Sequence, residues 1–119
     1  MALLGYHKAE FTGTKREKAF DENCCGGFEM KNQIVEDLRK QGFAVEDLGT
    51  NSADSVDYPD FAEKATAKVL AGQADLGILV CGTGIGISIA ANRHKGIRAA
   101  ILYDDYVAKV AREHNNANV

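Results

Sequence analysis

The sequence predicts an α/β fold: a Rossmann-like, doubly wound parallel sheet in three α/β/α layers. Three observations predict it. Leu76-Gly77-Ile78-Leu79-Val80-Cys81 is a continuous apolar run, the pattern of a strand buried on both faces. From Gly26 onward, helix-like stretches alternate with short strand-like ones, as in sheets covered by helices. The connections between them are short and rich in glycine, which suits turns at the ends of elements.

Residues 28–41 read as an amphipathic helix, with Phe28, Ile34, Val35 and Leu38 near one face and Glu29, Lys31, Glu36, Arg39 and Lys40 outward. Gly42 supplies the stop. A short strand is expected over 43–48, ending at Gly49. A polar loop over 50–60 holds the only proline, Pro59. A second helix is expected over 58–71, with Phe61, Ala65, Val69 and Leu70 among its apolar positions, ending at Gly72. The buried strand 76–81 follows, then a glycine-rich loop and a helix over 87–93. Gly96 breaks the chain before another buried-looking strand at 97–102. Tyr103-Asp104-Asp105 is its exit turn, and 106–114 reads as a helix.

Residues 1–23 do not join this pattern. Residues 14–18 are charged and strandless, and Lys18-Ala19-Phe20-Asp21-Glu22-Asn23 is a poor substitute for the apolar strand that should open such a sheet. Two readings stay open, a flexible or helical extension and a divergent first strand. The expected division is therefore a divergent segment at 1–23 and an α/β domain at 24–119.

The 119 residues are 45% hydrophobic and 26% charged, in the range of a soluble globular chain sized for one domain. A net charge of -3 gives no reason to expect nucleic acid or anionic membrane as partner. No apolar run approaches the roughly 20 residues of a membrane span, and the start is too soon polar for a signal peptide. A cytoplasmic location is expected. The cysteines, Cys24, Cys25 and Cys81, do not form a disulfide framework. His7, His94 and His114 are not spaced to complete a zinc site. Free thiols in a reducing compartment fit best.

The strongest chemical signal is Cys81-Gly82-Thr83-Gly84-Ile85-Gly86, after a buried strand and before a helix. Ligands bind at strand carboxyl ends in open α/β sheets. Glycines allow close approach, and the N–H groups of a helix start attract negative charge. Such a loop can hold a phosphate or stabilise a developing oxyanion. It is not a GxxxxGK[ST] loop. It also fails as GxGxxG, because Ile87 stands where the third glycine would be, so a dinucleotide is disfavoured. Cys81 is either a packing cysteine or a thiol whose place by a helix N-terminus favours the reactive thiolate. His114 is either a surface residue or an acid–base group working near neutral pH. Asp57-Tyr58-Pro59-Asp60 by itself is a helix entry turn. His7 and His94 have no constellation around them.

Taken together, several stretches resemble the ribose-5-phosphate isomerase B family. They are Val56-Asp57-Tyr58-Pro59-Asp60-Phe61-Ala62, the run from Gly77 through Cys81-Gly82-Thr83-Gly84 to Ala90-Ala91-Asn92, Gly96-Ile97-Arg98-Ala99-Ala100, and Ala111-Arg112-Glu113-His114-Asn115-Asn116-Ala117-Asn118-Val119. Gly26-Gly27-Phe28-Glu29-Met30-Lys31 is similar to the start of the family's first helix. The resemblance covers residues 26–119.

It implies interconversion of ribose 5-phosphate and ribulose 5-phosphate through an enediolate, without metal or organic cofactor. In that scheme Cys81 takes the C2 proton, and Thr83 and His114 assist ring opening. Gly82, Gly84 and Gly86 present main-chain donors, and Tyr58 and Asn115 line the substrate site. The resemblance also implies a homodimer whose sites use residues from both subunits. Arg98 receives no role. Relatives act on galactose 6-phosphate or allose 6-phosphate, and the cysteine-containing signature leans toward the pentose.

Two departures lower the expected activity. Cys24 and Cys25 stand where the family has an Asp-His pair, and neither reproduces a carboxylate or an imidazole. The family also runs on past Ala-Asn-Val with a strand and a helix bearing phosphate-binding arginines, whereas this sequence ends at Val119. The expectation is an incomplete sheet and an isomerase with impaired phosphate recognition. The alternatives are a non-catalytic sugar-phosphate binder, or a protein that associates with an intact relative through the dimer face.

Overall fold

The computed structural model describes residues 18–23, 27–49 and 57–119, the first of these by its backbone. Expectations placed on His7, on residues 14–17, on Cys24 and Cys25, and on the 50–56 part of the polar loop lie outside the described residues. The order of elements is β1 (Lys18–Asn23), α1 (Phe28–Lys40), β2 (Val45–Asp47), α2 (Tyr58–Leu70), β3 (Gly77–Cys81), α3 (Ile85–Asn92) and α4 (Asp105–Glu113). The protein is α/β.

Among the described residues the sheet has three strands in the order β2-β1-β3. Both pairings are parallel, Lys18 facing Val45 on one side and Ala19 to Asn23 facing Gly77 to Cys81 on the other. The central strand is thus the very segment whose composition argued against a strand. A parallel ladder is made by main-chain N–H and C=O groups, so polar side chains did not prevent it. The division expected after residue 23 accordingly cuts off a strand that belongs to the sheet.

Every residue of β3 is buried, and its alternate side chains serve two cores. Ile78 and Val80 pack with Val35 and Leu38 of α1. Leu79 and Cys81 pack with Ala62 and Ala65 of α2, Ile87 and Ala91 of α3, and Ala111 of α4. Helices therefore lie on both faces of the strand, and the period-two alternation of side chains sorts residues between them. Each large apolar side chain so buried contributes about 1.5–3 kcal/mol.

The helix ends follow local chemistry. At the end of α1, Gly42 takes a φ of +87°. Its N–H donates to Arg39 O, and the Phe43 N–H reaches Leu38 O, the paired bonds of a glycine-terminated helix. Pro59 sits in the first turn of α2, where its missing N–H costs nothing. Asp104 caps α4 by accepting the Val107 N–H at 2.7 Å. On the outer face of α1, Glu36 and Lys40 pair at 2.8 Å. The neighbouring ammonium holds the Glu36 carboxyl below its usual range, and the carboxylate raises Lys40. What little the pair adds is present above the ordinary glutamate range and lost as pH falls through the lowered one.

Two expectations are corrected. Residues 97–102 form no strand. Their main-chain groups are taken instead by side chains and by a short tail. Asn92 bonds both the N–H and the C=O of Ala99, and Val119 bonds Ala100 N and Arg98 O. Lys31, expected outward, is 1% exposed. Its ammonium meets Asp47 Oδ2 at 2.6 Å and lies 5.5 Å from the Phe28 ring centre. Its stem lies against Gly49, where an added Cβ would come within 3.0 Å. The opposite charge at the end of β2 makes this burial tolerable, as paired charges can be buried where single ones cannot. Asp47→Ala should lower the unfolding free energy in urea titration by roughly 2 kcal/mol. That is less than the 3–5 kcal/mol of a fully buried pair, because Asp47 keeps a quarter of its side chain exposed. Lys31→Met should cost less, since the Asp47 carboxylate it leaves behind keeps access to water, whereas the Lys31 ammonium does not.

Candidate active site

The apolar strand β3 ends at Cys81, and the chain turns into α3 within three residues. Gly84 makes that turn possible with a φ of +74°, a left-handed conformation nearly free for glycine and unfavourable for other residues. In this geometry the Gly84 N–H donates to Cys81 Sγ at 3.0 Å. Such a donor strengthens when its acceptor carries charge. Cys81 is 8% exposed, so the thiol sits beneath the loop, while Gly82 and Thr83 above it are exposed. The space beside Gly82 is open.

The donors of the loop divide into two groups. Gly84 N–H serves the sulfur, and Ile85 N–H bonds Thr83 Oγ1 at 3.3 Å. The N–H groups of Gly82, Thr83 and Gly86 have no partner among the described residues. They lie at the start of a helix, where unpaired N–H groups and the dipole favour an anion. Tyr58 joins them from the first turn of α2. Its hydroxyl and ring edge lie so close to Gly86 that an added Cβ there would meet them at 3.0 Å. Cys81, Gly82, Thr83, Gly84, Gly86 and Tyr58 thus lie together in one cluster.

His114 and Asn115 do not join it. They follow α4, and the tail beyond them runs to the start of β3, where Gly77 N–H donates to Asn118 O at 2.9 Å. Cys81 is at the other end of that five-residue strand, roughly 13 Å away at the rise of a parallel strand. Helix α3 gives the same answer. Its first turn covers the thiol and its last residue, Asn92, is bonded to Ala99, beside the tail. A groove of about 430 Å³ opens there, with Asn92, Arg98, Val110 and Asn115 on its walls. Among the described residues no hydrogen bond joins His114 to Cys81 or Thr83. No group of three His, Cys, Asp or Glu among them is placed to hold a metal, and no helix of theirs is long and apolar enough to cross a membrane.

A sequence profile described as Ribose/Galactose Isomerase matches residues 23–119, most of the chain and all of this cluster. The chain belongs to the ribose/galactose isomerase family. Within that family, ribose-5-phosphate isomerase B of Escherichia coli K12 is 47% identical over 93 residues, 78% of this chain and 62% of that protein. Galactose-6-phosphate isomerase subunit LacB of Clostridium acetobutylicum is 47% identical over 91 residues, 76% of this chain and 53% of that one. The chain therefore spans less than two thirds of the length of either curated relative. A solved structure of ribose-5-phosphate isomerase B from Thermotoga maritima superposes with a TM-score of 0.83 at 48% identity, covering 88% of this chain and 72% of that one. One from Clostridium thermocellum gives 0.82 at 47%, with 86% and 68% covered.

Sequence reading missed two features of this family member. Ile85 and Ile89 are more than half exposed and stand four residues apart, so they form one apolar stripe along α3. Arg98 and Arg112 both hold the turn after α4. The four-residue spacing of Arg112 and Asn116 was the available signal, since residues so spaced are neighbours at a helix end. Gly84→Ala should destabilise the chain by about 1–2 kcal/mol through its left-handed backbone. It should also change the rate at which iodoacetamide modifies Cys81, read by mass spectrometry, because the donor on the sulfur moves.

Proposed function

We propose that this chain is an aldose–ketose isomerase acting on ribose 5-phosphate, with Cys81 as the base. The observation that carries it is the thiol held by the Gly84 N–H beneath a loop whose Gly82, Thr83 and Gly86 N–H groups have no partner among the described residues. Cys81 removes the proton from C2 of the open-chain sugar. The electron pair enters the C1–C2 bond and negative charge develops on O1, where preorganised N–H donors are most effective. The sulfur returns the proton to C1 while the O2 hydroxyl proton passes to O1, leaving the ketose. Thr83 and His114 exchange the hydroxyl proton that opens the ring, and Tyr58 and Asn115 bound the sugar. This scheme calls on no metal or organic cofactor.

The separation of His114 from Cys81 supports a homodimer in which each site combines the Cys81 loop of one subunit with His114 and Asn115 of the other. The Ile85–Ile89 stripe, beside the loop, is a surface a second copy can cover. The α/β unit, residues 24–119 with β1 added, is taken as Rossmann-like and doubly wound, and its place as the cytoplasm.

A shared site makes a sharp test. Cys81→Ala and His114→Gln should each remove most turnover of ribose 5-phosphate. Mixed in equal amounts after unfolding and refolding, the two variants should recover about a quarter of the parent rate, since half the dimers are hybrid and each has one intact site. No recovery would place both residues in one subunit's site, against the geometry above. Turnover untouched by Cys81→Ala would end the catalytic reading. A second reading, a non-catalytic sugar-phosphate binder or dimerising partner, is favoured by Cys24 and Cys25 in place of the Asp-His pair. Protection of Cys81 from alkylation by ribose 5-phosphate, with no turnover, would select it.

A further inference from the structure

We propose that Arg98 and Arg112 are positioning residues that clamp the Asn116 turn and so fix the direction in which His114 and Asn115 leave α4. This rests on the reading above, in which His114 exchanges a proton with the sugar.

Asn116 has a φ of +49° and, among the described residues, is the one non-glycine with a positive φ. Asparagine visits this region more readily than most residues, yet at a cost of order 1 kcal/mol unless its surroundings hold it. Here two guanidinium groups from two separate segments hold it. Arg98, eighteen residues back, donates from Nε to the Asn116 carbonyl at 2.7 Å and from an η nitrogen to Gly96 O at 3.2 Å. Arg112, in the last turn of α4, donates to the Asn116 side-chain oxygen and to Ala117 O, the latter at 2.9 Å. Asn118 closes the set. Its Oδ1 accepts the Arg98 N–H at 2.8 Å, and its Nδ2 donates to Gly96 O at 3.0 Å.

Both oxygens of Asn116 are therefore occupied by charged donors, whose bonds are stronger and more directional than neutral ones. The planar guanidinium reaches two acceptors in fixed geometry, which an ammonium does not match. By contrast, the His114 side chain makes no hydrogen bond to any described residue. Its placement comes from the main chain on either side, helix α4 before it and the clamped turn after it. Proton transfer depends on such placement, because a misplacement of about 1 Å can cost ~100-fold in rate.

The test uses Arg98→Met and Arg112→Met in the full chain, each also combined with His114→Gln. Turnover of ribose 5-phosphate and amide 15N order parameters are measured. Each single variant should lower kcat by roughly 10- to 100-fold with KM within about threefold of the parent. The loss should vanish in the His114→Gln background, as it does when two groups act as one. Order parameters at His114 and Asn115 should fall while those of α2 and α3 hold. An equal loss in both backgrounds would show a general structural effect and overturn the proposal. Unchanged kcat with unchanged order at His114 and Asn115 would also overturn it.

Should a methionine variant not fold, Asn116→Gly replaces it. Glycine keeps the left-handed turn but removes the oxygen Arg112 holds, so a smaller drop of the same kind is expected, and no change in kcat or order counts against the clamp. A parent chain without turnover sinks the isomerase reading alone. The order parameters then decide whether the clamp exists.

Discussion

The contact on which the rest of the site depends is the N–H of Gly84 directed at the sulfur of Cys81. It closes a turn that only a left-handed residue can complete so tightly. Because the turn is short, only three residues separate the end of β3 from α3, and the loop's remaining N–H groups lie at the start of that helix. The same tightness brings Gly86 under the Tyr58 ring, so a residue from the preceding helix is tied to the loop. A looser connection would leave a thiol, a tyrosine and a few amides with no common focus.

The two ends of the sheet have different tasks. At the end where β3 finishes, the chain offers a sulfur and N–H donors without a partner among the described residues. At the end where β3 begins, it offers a histidine, an asparagine and a groove, held by a network of Arg98, Arg112, Asn116 and Asn118. A parallel sheet imposes this division, since strands all run one way and helices return the chain to the start. One molecule cannot fold the halves together without breaking the strand between them. In the proposed homodimer two molecules related by a two-fold axis can, because each then presents both halves to its partner.

Much of this was legible in the sequence. The apolar run at Ile78 to Cys81, the glycines after it and the helices around it were identifiable because burial on two faces and tight turns demand particular residues. The grouping of Tyr58 with the loop was legible only through the family resemblance, as nothing in the spacing brings α2 onto Gly86. The central strand was obscured because Lys18, Asp21, Glu22 and Asn23 lack the apolar signal by which such strands are known, while the ladder itself is made by the main chain. Lys31 looked like a surface lysine. Its burial depends on Asp47, sixteen residues on, a long-range pairing that helical periodicity cannot show. The failed strand at 97–102 has the opposite cause: apolar residues were present, but amide side chains claimed its backbone.

The alternation of β3 between two cores has a consequence for how the thiol is addressed. Ile78 and Val80 face α1, whereas Leu79 and Cys81 face α2 and α3. Which side of the sheet receives the sulfur is therefore a matter of odd or even count along the strand. Adding or deleting one residue within it would rotate every following side chain to the opposite layer. The layer in which the sulfur lies is written in parity, and a chain identical in composition but shifted by one step would carry it into the other half of the molecule.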